Sequence, residues 1–258
     1  MSNDKYELTN ESIMVGETKL YRIKALVDIS FKYGKVKAGE LGGYIESEKN
    51  LSHEGNCWVG DNAQVSGNAY VYGNAYVYGN AQVYGDAYVI DNACVYGNAK
   101  VYGDAVIADN VSVYNNACVY GDAQVAGNTK VSGNASVYGD AYVYGDACVY
   151  GDAKVYGKSS VCDRAKVQGK SEVYGSARIE SNMVICDGDI DSNDKIVYLE
   201  IDGTPKTFHI SRDNTIVVSY REINYFRESV RRVYDEPTAR AYLMMCDLAE
   251  LKLSDKLK

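Results

Sequence analysis

From Val59 to Ile185 an aliphatic residue returns at every sixth position, 22 times in succession without a slip. Two residues before nearly every one sits a small residue, as at Ala63, Ala69 and Ala75, and two residues after it Gly followed by Asn or Asp is usual. In an extended chain alternate side chains share a face, so the Ala and Val of each unit point one way and the residues flanking the Val point the other. Gly with Asn or Asp turns the corner, because these residues tolerate positive φ. A short strand plus a two-residue corner, repeated, predicts a coil. Three units per turn make a triangular prism with Val and Ala inside and about 4.8 Å between coils. At 18 residues per turn the run from Val59 to Ile185 gives seven coils.

The flanks follow other patterns. Ser12 to Val15 and Lys19 to Lys24 alternate apolar with polar residues around Gly16-Glu17, which predicts a β-hairpin that Leu26 to Phe31 extends. Residues 39–43, with three glycines, read as a loop, and the whole of residues 1–56 reads as a β cap on an otherwise open solenoid end. The solenoid is assigned to residues 57–190, the sixfold phase being lost between Cys186 and Asp194. Residues 191–258 read as an α+β capping or association domain. Alternating runs from Lys195 to Ile210 around Asp202-Gly203 predict a hairpin, with Thr215 to Val218 as a third strand. A capping box at Ser219 to Glu222 is expected to start a helix burying Ile223, Phe226, Val230 and Val233. Pro237 suits the first turn of a second helix, with Ala241, Met244, Leu248 and Leu251 on its apolar face. Arg227, Arg231, Arg232 and Arg240 are expected on solvated faces. The fold class is therefore mainly β.

Composition narrows the class. The net charge of −8 without a basic stripe argues against direct binding of nucleic acid. The absence of a secretory signal and of an 18-residue apolar run predicts a cytoplasmic chain that does not enter a membrane. Seven cysteines are an odd number for a disulfide framework, and Cys94 and Cys148, in one column, are three coils or about 14 Å apart. Free thiols are expected.

Sorted by side of the prism, the outward positions form columns. One side stacks Tyr84, Tyr102, Tyr120, Tyr138, Tyr156 and Tyr174, and the corner beside it stacks Asp86, Asp104, Asp122 and Asp140, preceded by Asn68 and followed by Lys158. Another side carries Tyr78, Tyr96, Tyr114 and Tyr150, and the remaining side Tyr70, Tyr72, Tyr88, Tyr142 and Tyr144. Asn62, Asn80, Asn98, Asn116 and Asn134 line a second corner, and Asn74, Asn92, Asn110 and Asn128 the third. Aromatic pairs on neighbouring strands and stacked Asn both stabilise sheets, so these ladders have a structural reading. Exposed aromatics are also what protein interfaces select. The aspartates fit the structural reading less well, since unit charges one coil apart repel by about 1 kcal/mol even in water and a column of Asn would not.

The sixfold register and its Ala-x-Val-x-Gly-Asn/Asp unit resemble the hexapeptide-repeat, left-handed parallel β-helix proteins. That resemblance, which covers about half the chain, implies a left-handed coil. The lead-in, Lys19 to Ala25, Lys37 to Tyr44 and Asn50 to Val59, also resembles a narrower group: uncharacterised bacterial solenoids named acetyltransferases on the repeat alone, and short solenoids encoded by phages and prophages. The wider resemblance implies acetyl transfer from acetyl-coenzyme A, with a histidine base on a coil or an extruded loop. Here the chain departs from the pattern, because the repeat holds no histidine and no extruded loop. His53 precedes it and His209 follows it, and both are expected in capping or surface roles. No phosphate-cradling loop or zinc spacing appears, the nine-residue spacing of calcium repeats is absent, and no cofactor or metal is expected.

The resulting expectation is a non-catalytic interaction protein, phage- or prophage-encoded. Tyr84, Tyr102, Tyr120, Tyr138, Tyr156 and Tyr174 with Asp86, Asp104, Asp122 and Asp140 are its protein-binding surface. The partner is expected to be a host protein, such as a basic, nucleic-acid-binding defence protein, in the bacterial cytoplasm. The 4.8 Å column spacing does not reproduce the 3.4 Å rise of a DNA strand, so any mimicry is approximate. Homo-oligomerisation through the C-terminal domain, a trimeric acetyltransferase using His53, and a structural component of a virion stand as alternatives.

Overall fold

The computed structural model describes residues 4–31, 34–186, 188–201, 204–210, 216–218 and 221–256. It is a parallel β-solenoid of about eight turns, with an N-terminal strand region and two C-terminal helices. Strands of mostly two residues stack into three parallel sheets, the faces of the prism. The parallel strands of the first face run from Leu41–Ile45 to Asp189–Ile190, those of the second from Tyr70–Val71 to Arg178–Ile179, and those of the third from Trp58–Val59 to Val184–Ile185. Register steps by 18 residues, as in Val83 beside Val65 and Val101. The inward Val and Ala of nearly every unit are fully buried, and backbone amides bond to carbonyls one coil on, as Gln82 N does to Ala99 O at 2.9 Å. Where Thr129 and Ser159 replace the inward Ala, each hydroxyl donates to a backbone carbonyl three residues back.

The solenoid exceeds the seven predicted coils because its two ends carry irregular turns. Ile45 pairs with Val65, and Leu51 bridges to Val71, so an earlier coil precedes Val59 with two extra residues in its path. At the far end Val173 pairs with Ile190, only 17 residues on, where the sequence pattern shows a lost phase.

The N-terminal cap is a sheet extension. Strands β1 (Tyr6–Val15) and β2 (Thr18–Ala25) form the antiparallel hairpin, and β2 pairs with β5 (Leu41–Ile45), the first parallel strand of the first face. The expected loop at residues 39–43 is thus largely strand. Gly42 is needed for close approach, since a Cβ there would lie 2.6 Å from Ile23, Trp58 and the Val59 carbonyl. The segment after β2 does not lengthen the hairpin. It forms a separate one, β3 (Ile29–Phe31) with β4 (Gly34–Val36), and the Phe31 ring lies 4.4 Å from that of Tyr76 on the third face.

In the C-terminal domain, strands Ile196–Ile201, Thr204–Ile210 and Ile216–Val218 pair antiparallel as predicted, while Asp202, Gly203 and Thr215 lie outside the described residues. Helix α1 (Ile223–Val233) follows a short strand at Arg221–Glu222, and Glu222 is its N-cap without a side-chain bond. The expected capping box rests on Ser219, which lies outside the described residues. Helix α2 (Glu236–Leu253) starts as expected, Asp235 accepting from the Thr238 amide at 3.2 Å. Its buried stripe is Ala239, Tyr242, Met245, Cys246, Ala249 and Leu253, whereas Met244 and Leu251 are 64% and 73% exposed. The helix is apolar on two sides, and the side bearing Tyr242 and Met245 packs. Val233, expected inside, is 72% exposed. Arg227 is not simply solvated: its guanidinium pairs with Asp247 and Glu250, joining α1 to α2.

Candidate functional site

The tyrosine ladder of the first face is continuous. From Tyr84 to Tyr174 successive ring centroids are 4.8 to 5.1 Å apart and the planes lie within 6° of parallel. Each ring covers the faces of its neighbours and leaves solvent an edge and a hydroxyl. Burial raises the phenol pKa values of Tyr84, Tyr102, Tyr120 and Tyr138. Tyr156 is raised further, by burial and then by Glu172, whose carboxylate accepts the Tyr156 hydroxyl proton at 3.0 Å and also pairs with Lys154.

The three corners differ in chemistry. Between the second and third faces each Asn side chain donates to the next at 3.1 to 3.3 Å, from Asn74 to Asn128, and the run ends on the Asp146 carboxylate. Between the third and first faces the same arrangement runs from Asn80 to Asn134 and ends on Asp152. Between the first and second faces Asn68 donates to Asp86 at 2.9 Å, and there the ladder stops. Asp104, Asp122 and Asp140 continue the column, all exposed. A carboxylate has no hydrogen to give the next carboxylate, so like charges lie one coil apart.

The column is also distinct from the other coil aspartates. Asp61, Asp91, Asp109 and Asp163 occupy the corner position usually held by Gly, at φ from 52° to 59°. Each accepts a backbone amide one coil on, for example Gly127 N to Asp109 at 2.9 Å. Their charge has a local partner and their role is structural.

The structure therefore brings together the predicted tyrosines and aspartates in adjacent columns. Sequence columns missed the contrast in exposure. Among the described residues of the coils, the large hydrophobic side chains classed as exposed are Tyr72, Tyr88 and Tyr142, at 37%, 45% and 46%, all on the second face. The spacing alone assigns these positions outward and does not say which rings cover one another.

The prism is not smooth, as the β3–β4 hairpin leans on the third face. It leaves a cleft of about 260 Å³ between Phe31, Tyr76, Cys94 and the side chains of Asn56, Asn74 and Asn92. A second groove, of about 390 Å³, runs along Tyr78, Tyr96 and Tyr114 to Lys130. Burial, then Asp61 and Cys94, push the Tyr76 phenol up to about 12. Neither histidine lines these clefts. His53 Nδ1 accepts the Lys5 amide at 3.1 Å and its ring stacks on Tyr6 at 4.2 Å, while His209 is fully buried. Each is held as part of a cap. Cys162, Asp163 and Glu180 offer ligand atoms within 4.8 Å of one another, but Asp163 accepts the Ser181 amide, Glu180 pairs with Arg178 and Cys162 is buried. None of the seven cysteines is in a disulfide. Among the described residues no helix is long and apolar enough to cross a membrane.

The family model described as YdcK Beta solenoid repeat matches residues 63–79, one stretch of the coils. No curated protein matches the chain.

Proposed function

We propose that this chain is a non-catalytic solenoid scaffold that docks a basic protein along the edge where the tyrosine ladder meets the carboxylate column. The observation that carries the reading is the run Asp86, Asp104, Asp122 and Asp140. On the other two corners the coil is closed by neutral amide ladders, and here the same position holds four exposed carboxylates at a cost in repulsion. Surface charge kept against stability is characteristic of a binding site. The lead-in segment, similar to that of phage and prophage solenoids, supports a partner in the bacterial host cytoplasm. A nucleic-acid-binding defence protein has the required basic surface.

The test is to capture host proteins on the wild-type chain and on the variant with Asp86, Asp104, Asp122 and Asp140 all changed to Asn. The expected result is a basic protein retained by the wild type, released by salt, and bound at least tenfold more weakly by the variant. Equal recovery on both removes this reading. The same variant should be more stable, by about 2 kcal/mol or about 4–8 °C in Tm, because repulsion is relieved and the third amide ladder completed.

A further inference from the structure

The ladder rings spend their faces on one another, whereas the exposed rings of the coils are on the second face. Its outward positions from Tyr70 to Cys162 hold no charged side chain, while the first face carries Lys100 and Lys154 and the third Lys130 and Lys166. Tyr88 with Ile90 and Tyr142 with Tyr144 stand as two walls. Between them two coils place only Val106, Ala108, Gln124 and Ala126. The walls are three coils apart, about 14 Å, and an α-helix with its side chains is about 10–12 Å across. One end of this trough opens on Asp104 and Asp122, and the other on the amides of Asn110 and Asn128.

We infer that the trough takes an amphipathic α-helix of the partner, lying along the strands, with its apolar stripe on Val106, Ala108 and Ala126 and lysine or arginine over Asp104 and Asp122. This rests on the proposed docking of a basic protein and moves its apolar contact from the ladder to the second face. A second copy of this chain is a poorer occupant, because its own second face offers no lysine or arginine from Tyr70 to Cys162 to set over Asp104 and Asp122.

The probe is a labelled 18-residue Leu/Lys amphipathic helical peptide, followed by fluorescence anisotropy against the full chain. A scrambled peptide of the same composition and a Leu/Glu analogue serve as controls. Expected results are saturable binding of the amphipathic peptide, at least tenfold weaker binding of both controls, and a tenfold loss on Ala108→Gln/Ala126→Gln, which fills the trough without changing charge. Ser112→Gln and Ser136→Gln, on the other two faces, should bind as the wild type. Absence of wild-type binding, equal binding of the scrambled peptide, or an unaffected Ala108→Gln/Ala126→Gln variant overturns the inference. If Asp104→Asn/Asp122→Asn weakens binding and the trough variant does not, the trough falls and the basic-partner reading stands. The reverse pattern keeps the trough and removes the charge-based reading.

Discussion

Aspartates of two kinds occupy the two successive positions of the coil corners, and what each carboxylate touches separates them. Asp109 holds the left-handed conformation that Gly normally supplies and compensates by accepting the Gly127 amide. Asp109→Ala should therefore lose about 1–3 kcal/mol, keeping the strain and dropping the bond, while Asp109→Gly should stay within about 1 kcal/mol of wild type, as denaturant unfolding will show. Tyrosine ionisation gives a second prediction. The ladder phenols have raised pKa values in the fold, so their contribution to stability is complete below pH 10 and is lost as pH rises through the folded values. A titration followed at the phenolate absorbance should show a folded chain ionising later than the unfolded one, with Tyr76 near 12. Glu172→Gln should bring the Tyr156 step down, since the charge opposing its ionisation is gone. Columns of residues were legible in the sequence because a period of 18 places them. Which side chain occupies a neighbour's hydrogen-bonding group was not, and Asp109 and Asp104 look alike until the amide at Gly127 is located.

Single elements show how far pattern reaches. The coil strands are mostly two residues long and have little intrinsic preference, yet from Val59 to Ile185 each is found where the sixfold phase predicts, because a slip would expose a Val and bury a polar neighbour. Gly121 tests the corner: at φ 69°, a Cβ would stand 3.0 Å from the Gly139 amide nitrogen. Gly121→Ala should cost about 1–3 kcal/mol in chemical denaturation, against a near-neutral Ser136→Ala on the same face. Pattern failed where two solutions are equally apolar. Helix α2 has apolar stripes on two sides, and periodicity selected Met244, Leu248 and Leu251 although Tyr242, Met245 and Leu253 are the residues that pack. It failed again within residues 39–43, where Gly39 does turn, at φ 90°, but Gly42 and Gly43 are strand residues, Gly42 pressed against Trp58 and Ile23.

At the scale of the whole molecule, stability accumulates through nearest-neighbour coils closed by two unlike ends. The N-terminal end is tightly closed. Lys5, 4% exposed, donates its ammonium to the Cys57 carbonyl at 2.8 Å, and Tyr6 donates its hydroxyl to the Leu51 carbonyl at 2.7 Å. Among the described residues the C-terminal domain meets the last coil through contacts such as the Val184 amide donating to the Thr207 hydroxyl at 3.0 Å. Hydrogen exchange should therefore be slowest in the coils from Lys100 to Val143 and fastest toward Ile185, and uniform protection along the solenoid would contradict nearest-neighbour stability.

The amide ladders have a direction: every Asn donates toward the C-terminal end, and a carboxylate terminates each series. Insert a second copy of residues 81–98 in tandem, and every inserted Asn of the two ladders meets an Asn above and below as before, while both terminators keep their place. Length is in this sense a free variable of the scaffold. Gene-level duplication or loss of one 18-residue block can tune the reach of the prism without redesigning either end.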